Sequence, residues 1–139
     1  MNERTGFEVE ISQMDGEPIV LDEKTIKTVE FKIDTVEEDV KDRSENVINK
    51  VVITGNITPE NKEDTRMLAL WSLDKKREKV YREMSITLAT GGETLRTYRM
   101  DMVFCIDYIE IFGMKGENTF ELVVAQRKDN LGGIKVGSV

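Results

Sequence analysis

The chain has 139 residues, of which 34% are charged and 39% hydrophobic, a composition typical of one globular domain with its own core. Its 27 acidic and 20 basic residues give a net charge of −7, which argues against a nucleic-acid-binding protein because such proteins usually carry a basic surface. No apolar run approaches the roughly 20 residues of a membrane-spanning helix, and the first six residues carry no apolar signal segment. We therefore expect a protein made in the cytoplasm, with export by a signal-independent machine left open.

Alternation of apolar and polar residues predicts three strands in the first third of the chain, at residues 7–11, 18–21 and 26–34. Asp15-Gly16 lies between the first two and is a strong signal for a hairpin turn. Pro18 suits the start of a strand or the edge of a sheet.

The alternation stops in residues 35–46, which are acidic and aperiodic. This segment contains Glu37, Glu38, Asp39, Asp42 and Arg43. A calcium-binding loop would need regularly spaced acids around a central glycine, and this segment has no glycine. The segment is either a functional long loop or a solvated surface excursion.

The middle of the chain predicts one strand and one helix. Residues 47–57 resume the strand pattern, and Gly55 interrupts it where a bulge is expected. Residues 64–73 show helical spacing of apolar side chains, with Asp64 or Thr65 as the predicted N-cap. We expect Trp71 to anchor this helix on the sheet.

The last third predicts strands at residues 80–89, 94–108 and 119–126, with residues 109–112 ending at Gly113. From about residue 128 the chain is predicted to be a loose tail, in which Ile134 and Val136 can add a short edge strand. The count is about seven strands joined by turns, with one helix and no strand–helix alternation. We therefore predict a mainly β fold, an antiparallel barrel or sandwich with one short packed helix, in a single domain over residues 1–139.

The hairpin predicted around Gly91 and Gly92 separates its side chains cleanly by polarity. A three-residue loop, residues 91–93, places Ile86 opposite Tyr98 and Met84 opposite Met100, which gives an apolar face for the core. The other face pairs Thr87 with Thr97 and Ser85 with Arg99. This polar face either borders bulk water or lines an enclosed space.

The sequence contains little that could do chemistry. There is no histidine, and Cys105 lies within the apolar run 103–106, where a buried thiol is expected. Asp107 is interpreted as a polar residue on an exposed face. A glycine-rich phosphate loop is absent, since Gly91-Gly92 belongs to a hairpin. We expect no catalytic residue, no cofactor and no metal site.

The second half of the chain resembles the tube proteins of contractile injection machines. It runs as strand SITLAT, glycine turn, strand TYRMDMVFCIDYIEIFG, a second glycine-containing turn and strand NTFELVVAQRKD. Phage tail tube proteins and the haemolysin-coregulated proteins of type VI secretion share this order, with a helix beside a small barrel and a long early loop. The chain is also similar to a group of small clostridial proteins that contain segments like LWSL, FCIDYIEIFG and VVAQRKD.

The resemblance implies a structural role without catalysis. Tube proteins close rings of six subunits that stack, with one sheet face in the subunit core and the other lining a water-filled channel. By this resemblance the lumen-facing residues are Ser85, Thr87, Thr97 and Arg99. We expect the segment with Glu37, Glu38, Asp39, Asp42 and Arg43 to reach a neighbouring subunit.

The implied partners are further copies of the chain, then sheath, baseplate or effector proteins, with DNA as a possible passenger in the lumen and no membrane. The implied location is a virion tail or an injection apparatus, assembled in the cytoplasm. The alternative is a non-catalytic secreted carrier or binding module on the same barrel.

Overall fold

The computed structural model describes residues 5–13, 16–35, 47–74, 80–126 and 134–137. Eight strands and a helix lie within these ranges. Their bounds are β1 (Gly6–Ile11), β2 (Ile19–Leu21), β3 (Ile26–Thr35), β4 (Val47–Asn56), α1 (Lys62–Leu73), β5 (Arg82–Thr90), β6 (Glu93–Phe112), β7 (Asn118–Gln126) and β8 (Ile134–Gly137). The predicted mainly β fold with a packed helix is confirmed.

The eight strands form one sheet in which each of the pairings is antiparallel. The order is β2-β1-β5-β6-β7-β4-β3, and β8 pairs with β6. β8 continues the path of β7 along β6, with Tyr98 opposite Val136. The short edge strand that Ile134 and Val136 allowed is therefore present, whereas the rest of the expected loose tail lies outside the described residues.

The sheet curls so that one of its faces encloses the core. Phe31 of β3 stacks on Tyr98 of β6 with ring centroids 4.6 Å apart, although β7 and β4 lie between these strands in the sheet order. Side chains from β1 to β7 and from α1 share one buried cluster. Burial of this apolar surface is the main stabilising contribution to the fold.

The glycine hairpin has the predicted register but a different turn. Ile86 lies opposite Tyr98, Met84 opposite Met100, Thr87 opposite Thr97 and Ser85 opposite Arg99. The turn itself is a two-residue turn, because Thr90 pairs with Glu93, and Gly91 and Gly92 have φ of 58° and 85°. Such positive φ values suit the tight turns that join right-handedly twisted strands. A bulge at residue 95 compensates for the shorter turn, so the pairing beyond it is the same as with a three-residue loop.

β6 carries two further bulges, and each one changes which residues face the core. The pairing shifts between Met100 and Val103, where Met102 has a φ of 54°, and again between Cys105 and Asp107. One extra residue in a strand inverts the side-chain alternation beyond it. The core-facing residues therefore change from Met100 to Val103 and then to Tyr108.

Gly55 is required by a close approach. A Cβ atom there would contact the Thr25 carbonyl oxygen and lie 2.7 Å from two ring atoms of Phe120. The bulge predicted at Gly55 lies instead on the partner strand, where the pairing shifts between Ile26 and Thr28. The absence of a side chain at this position thus allows the Thr25 carbonyl and the Phe120 ring to approach the backbone of β4 closely.

Helix α1 packs against β2 and β6, with Leu68 and Trp71 buried. The predicted N-cap at Asp64 or Thr65 is wrong, since the helix begins at Lys62 after Asn61. The Asn61 amide donates to the Thr25 hydroxyl and the Asn56 carbonyl, so it connects the helix entry to the sheet instead of capping the helix. The Trp71 ring is 2% exposed, which confirms its predicted anchoring role.

Candidate functional site: the polar face of the sheet

The polar face is the outer surface of the β5–β6 hairpin and comprises Ser85, Thr87, Thr97 and Arg99. Strand pairing places the four side chains side by side, since Ser85 lies opposite Arg99 and Thr87 opposite Thr97. Their neighbours in sequence, Ile86 and Met100, are buried on the other side of the sheet. The sequence therefore placed these four residues on one face correctly, and their facing a channel stays a prediction.

The polar face continues onto β1, which contributes acidic side chains. Glu10 lies opposite Ser85, and Glu8 lies opposite Thr87. Glu10 and Arg99 are exposed. The result is a hydroxyl-rich surface with carboxylates on one flank and a guanidinium on the other. Short hydroxyl side chains with charges of both signs favour contact with water over lasting contact with a protein chain.

The outer face becomes apolar towards the far end of β6. Ile109 and Ile111 are 41% and 62% exposed, and both lie on the same side of the sheet as Asp107. The bulge between Cys105 and Asp107 turns these isoleucines outward, because without it the alternation that begins at Val103 would place both in the core. Simple alternation along the sequence could not identify this apolar surface.

A hairpin tip extends the apolar surface beyond the sheet. Phe112 is 66% exposed, and Met114 in the turn is fully exposed. The turn is closed by Gly113, whose N–H donates to the Glu117 carbonyl at 3.0 Å. Large apolar side chains in this position are typical of a surface that another chain covers.

At the other end of β6, near the β5–β6 turn, the protein has an apolar cavity of about 400 Å³. It opens where β1, β3, β5 and β6 approach one another, and its wall includes the stacked Phe31 and Tyr98 rings. Arg96 is the charged residue among those lining it.

The ionisable groups with altered pKa values contribute to packing, and their protonation states at neutral pH do not suit catalysis. Cys105, expected to be buried, is half-buried. This partial burial raises the pKa of its thiol to about 11, so at neutral pH the thiol is protonated and a poor nucleophile. Burial also raises the pKa of Tyr108, whose hydroxyl donates to the Thr65 carbonyl of α1. Within the described ranges, His, Cys, Asp and Glu side chains form no group of three that could hold a metal ion.

The acidic segment with Glu37, Glu38, Asp39, Asp42 and Arg43 lies outside the described residues, and its predicted contact with a neighbouring subunit stays a prediction. The helices in the described part of the chain include none that is long and apolar enough to cross a membrane.

No protein-family model matches the sequence, and no curated protein matches it. Solved structures are similar over nearly the whole chain. Hcp1 from Flavobacterium johnsoniae has 13% identity and a TM-score of 0.57, covering 95% of this chain and 96% of that chain. Hcp1 from Salmonella typhimurium has 9% identity and a TM-score of 0.59, covering 96% and 86% respectively.

A third similar chain belongs to the PVC sheath–tube complex of an extracellular contractile injection system, in its extended state. It has 16% identity and a TM-score of 0.57, covering 97% of this chain and 90% of that chain. The resemblance stated from the sequence is therefore confirmed at the level of the fold, which this chain shares with Hcp proteins and with components of contractile injection systems.

Proposed function

We propose that this protein is a structural subunit, that six copies of it form a ring, and that these rings stack into the inner tube of a contractile injection apparatus or phage tail. The observation that carries the proposal is the division of the outer sheet surface into two parts. The part with Ser85, Thr87, Thr97 and Arg99 is polar, while the part with Ile109 and Ile111 is apolar. One surface suits a water-filled channel, and the other suits burial against another chain.

The placement of α1 supports this orientation. Trp71 and Leu68 of the helix are part of the core cluster, so α1 lies on the side of the sheet away from the polar face. If the polar face lines a channel, the helix faces the outside of the ring, where sheath or baseplate proteins would meet it. The similar chain in the PVC sheath–tube complex supports a sheath as such a partner.

The proposed role is passive and without catalysis. The lining would let an effector protein or DNA pass, because hydroxyl groups and mixed charges offer no extended apolar or basic surface for either to adhere to. The subunit would assemble in the cytoplasm and end in the virion tail or injection apparatus. The acidic segment of residues 35–46 would contact the next subunit.

Light scattering at increasing concentration, with negative-stain imaging of the same samples, tests ring formation. We expect a species of six times the 15.9 kDa chain mass, seen as rings with a central hole. A protein that stays monomeric at the highest soluble concentration would contradict the proposal and favour the carrier alternative.

A further inference from the structure

We propose that the hairpin tip of one copy, formed by Ile111, Phe112 and Met114, inserts into the apolar cavity of a second copy of this chain. This inference rests on the proposed assembly into rings or tubes and names one contact that would hold copies together. It concerns the outer end of the β6–β7 hairpin and the cavity near the start of β6.

The tip is a stable apolar projection. Ile111 and Phe112 are 62% and 66% exposed, and Met114 is fully exposed. Two backbone hydrogen bonds hold the turn, from Gly113 to the Glu117 carbonyl at 3.0 Å and from Gly116 to the Gly113 carbonyl at 3.1 Å. Because the turn is closed before any contact forms, little conformational entropy is lost on insertion.

The cavity suits an apolar side chain better than a polar ligand. Its wall includes the stacked rings of Phe31 and Tyr98, the half-exposed Leu95, and the partly buried Phe7 and Leu88. Binding sites for small molecules usually combine apolar walls with several converging polar groups. Here Arg96 is the one charged residue in the lining, so a ligand in this cavity would be held mainly by apolar contacts.

The tip and the cavity lie at opposite ends of β6, so the same contact can repeat from one copy to the next. Tyr98 and Phe112 are both in β6, and an extended strand rises about 3.3 Å per residue, so these residues are separated by up to roughly 45 Å. The tip of a copy cannot reach its own cavity across the barrel. A projection on one copy that fits a cavity on the next gives a heterologous interface, which closes a ring or continues as a stack.

Charge supports the same pairing. The exposed Arg96 lies at the cavity, and the exposed Glu117 lies in the tip turn. Insertion of the tip would bring a carboxylate towards a guanidinium at the rim of the contact, which favours the correct orientation more than it adds affinity.

Cysteine pairs placed in separate chains test the contact. Two variants are made in the Cys105→Ala background, one with Phe112→Cys and the other with Leu95→Cys. They are purified with tags of different length, mixed and oxidised. We expect a cross-linked product of two different chains in the mixture, at several-fold higher yield than either variant gives alone. Cross-linking of Phe112→Cys with itself at an equal yield would show a tip-to-tip contact and overturn the proposal.

A second test of the contact measures how variants of the tip assemble. Phe112→Asp should raise the concentration needed for assembly at least tenfold, whereas the matched Phe112→Leu should assemble like the unmodified chain. If Phe112→Asp forms normal rings and stacks, the tip contact is wrong while the proposed tube function stands. If the unmodified chain stays monomeric and the mixed cysteines do not cross-link, both proposals fail.

Discussion

Trp71 shows how single side chains join α1 to the sheet. Its indole N–H donates to the Val80 carbonyl at 2.8 Å, and the Arg82 guanidinium lies 5.1 Å from the ring centroid. Arg82 also pairs with Asp74 at 3.1 Å, which offsets part of the lowering of the Arg82 pKa by burial. These contacts link the end of the helix to the start of β5.

Trp71→Ala should lower the free energy of unfolding by roughly 3–5 kcal/mol, because it leaves a large cavity in the core. Leu73→Ala is the matched control, since Leu73 is in the same helix but 72% exposed. It should change stability by no more than about 0.5 kcal/mol. Urea unfolding measures both, and a loss below about 1 kcal/mol for Trp71→Ala would show that the ring does not anchor the helix.

Cys105 is half-buried, and its thiol should titrate with a pKa of about 11, above its ordinary 9.0. The thiolate is the reactive form, so the rate of modification by a small disulfide reagent should rise about tenfold per pH unit until near pH 11. The raised pKa also means that this thiol's contribution to stability is complete below pH 9 and is lost as the pH rises from about 9 to 11. A rate that levels off near pH 9 in the folded protein would contradict the raised pKa of this thiol.

At the scale of elements, the sequence predicts the strands well and the irregularities of β6 poorly. The pairing of Ile86 with Tyr98 was predicted because glycines and a clean separation of polarity define a hairpin register. The bulges near Met102 and Ile106 were not predicted, since they depend on how β6 must bend to pair first with β5 and then with β7. The outward orientation of Ile109 follows from these bulges, so the apolar half of the outer surface could not be derived from alternation.

Gly55→Ala should destabilise the fold, because the new methyl group would overlap the Thr25 carbonyl and the Phe120 ring. Overpacking of this kind costs about 1–3 kcal/mol. Gly137→Ala is the matched control, with no heavy atom within 4 Å of the added Cβ. Thermal melts compare the two variants, and equal midpoints would show that the Thr25 carbonyl and the Phe120 ring do not pack closely against Gly55.

At the scale of the whole molecule, the curled sheet gives the protein two different outer surfaces and a helix on the core side. The polar face contains hydroxyl groups and charges of both signs, whereas the far end of β6 and its tip are apolar. A monomer would leave both surfaces in water, which is unfavourable for the apolar one. In the proposed ring the apolar surface would be covered while the polar face would stay hydrated, and this is the central claim of the proposed function.

Thiol accessibility at Thr87 in confirmed rings tests that claim most directly. Thr87→Cys with Cys105→Ala should react with a small maleimide but resist a maleimide on a polymer wider than the channel, while the matched Ser72→Cys on the exposed side of α1 should react with both. After dissociation into monomers, Thr87→Cys should accept both reagents as well. Equal reactivity of Thr87→Cys towards the two reagents within intact rings would contradict a channel-lining polar face.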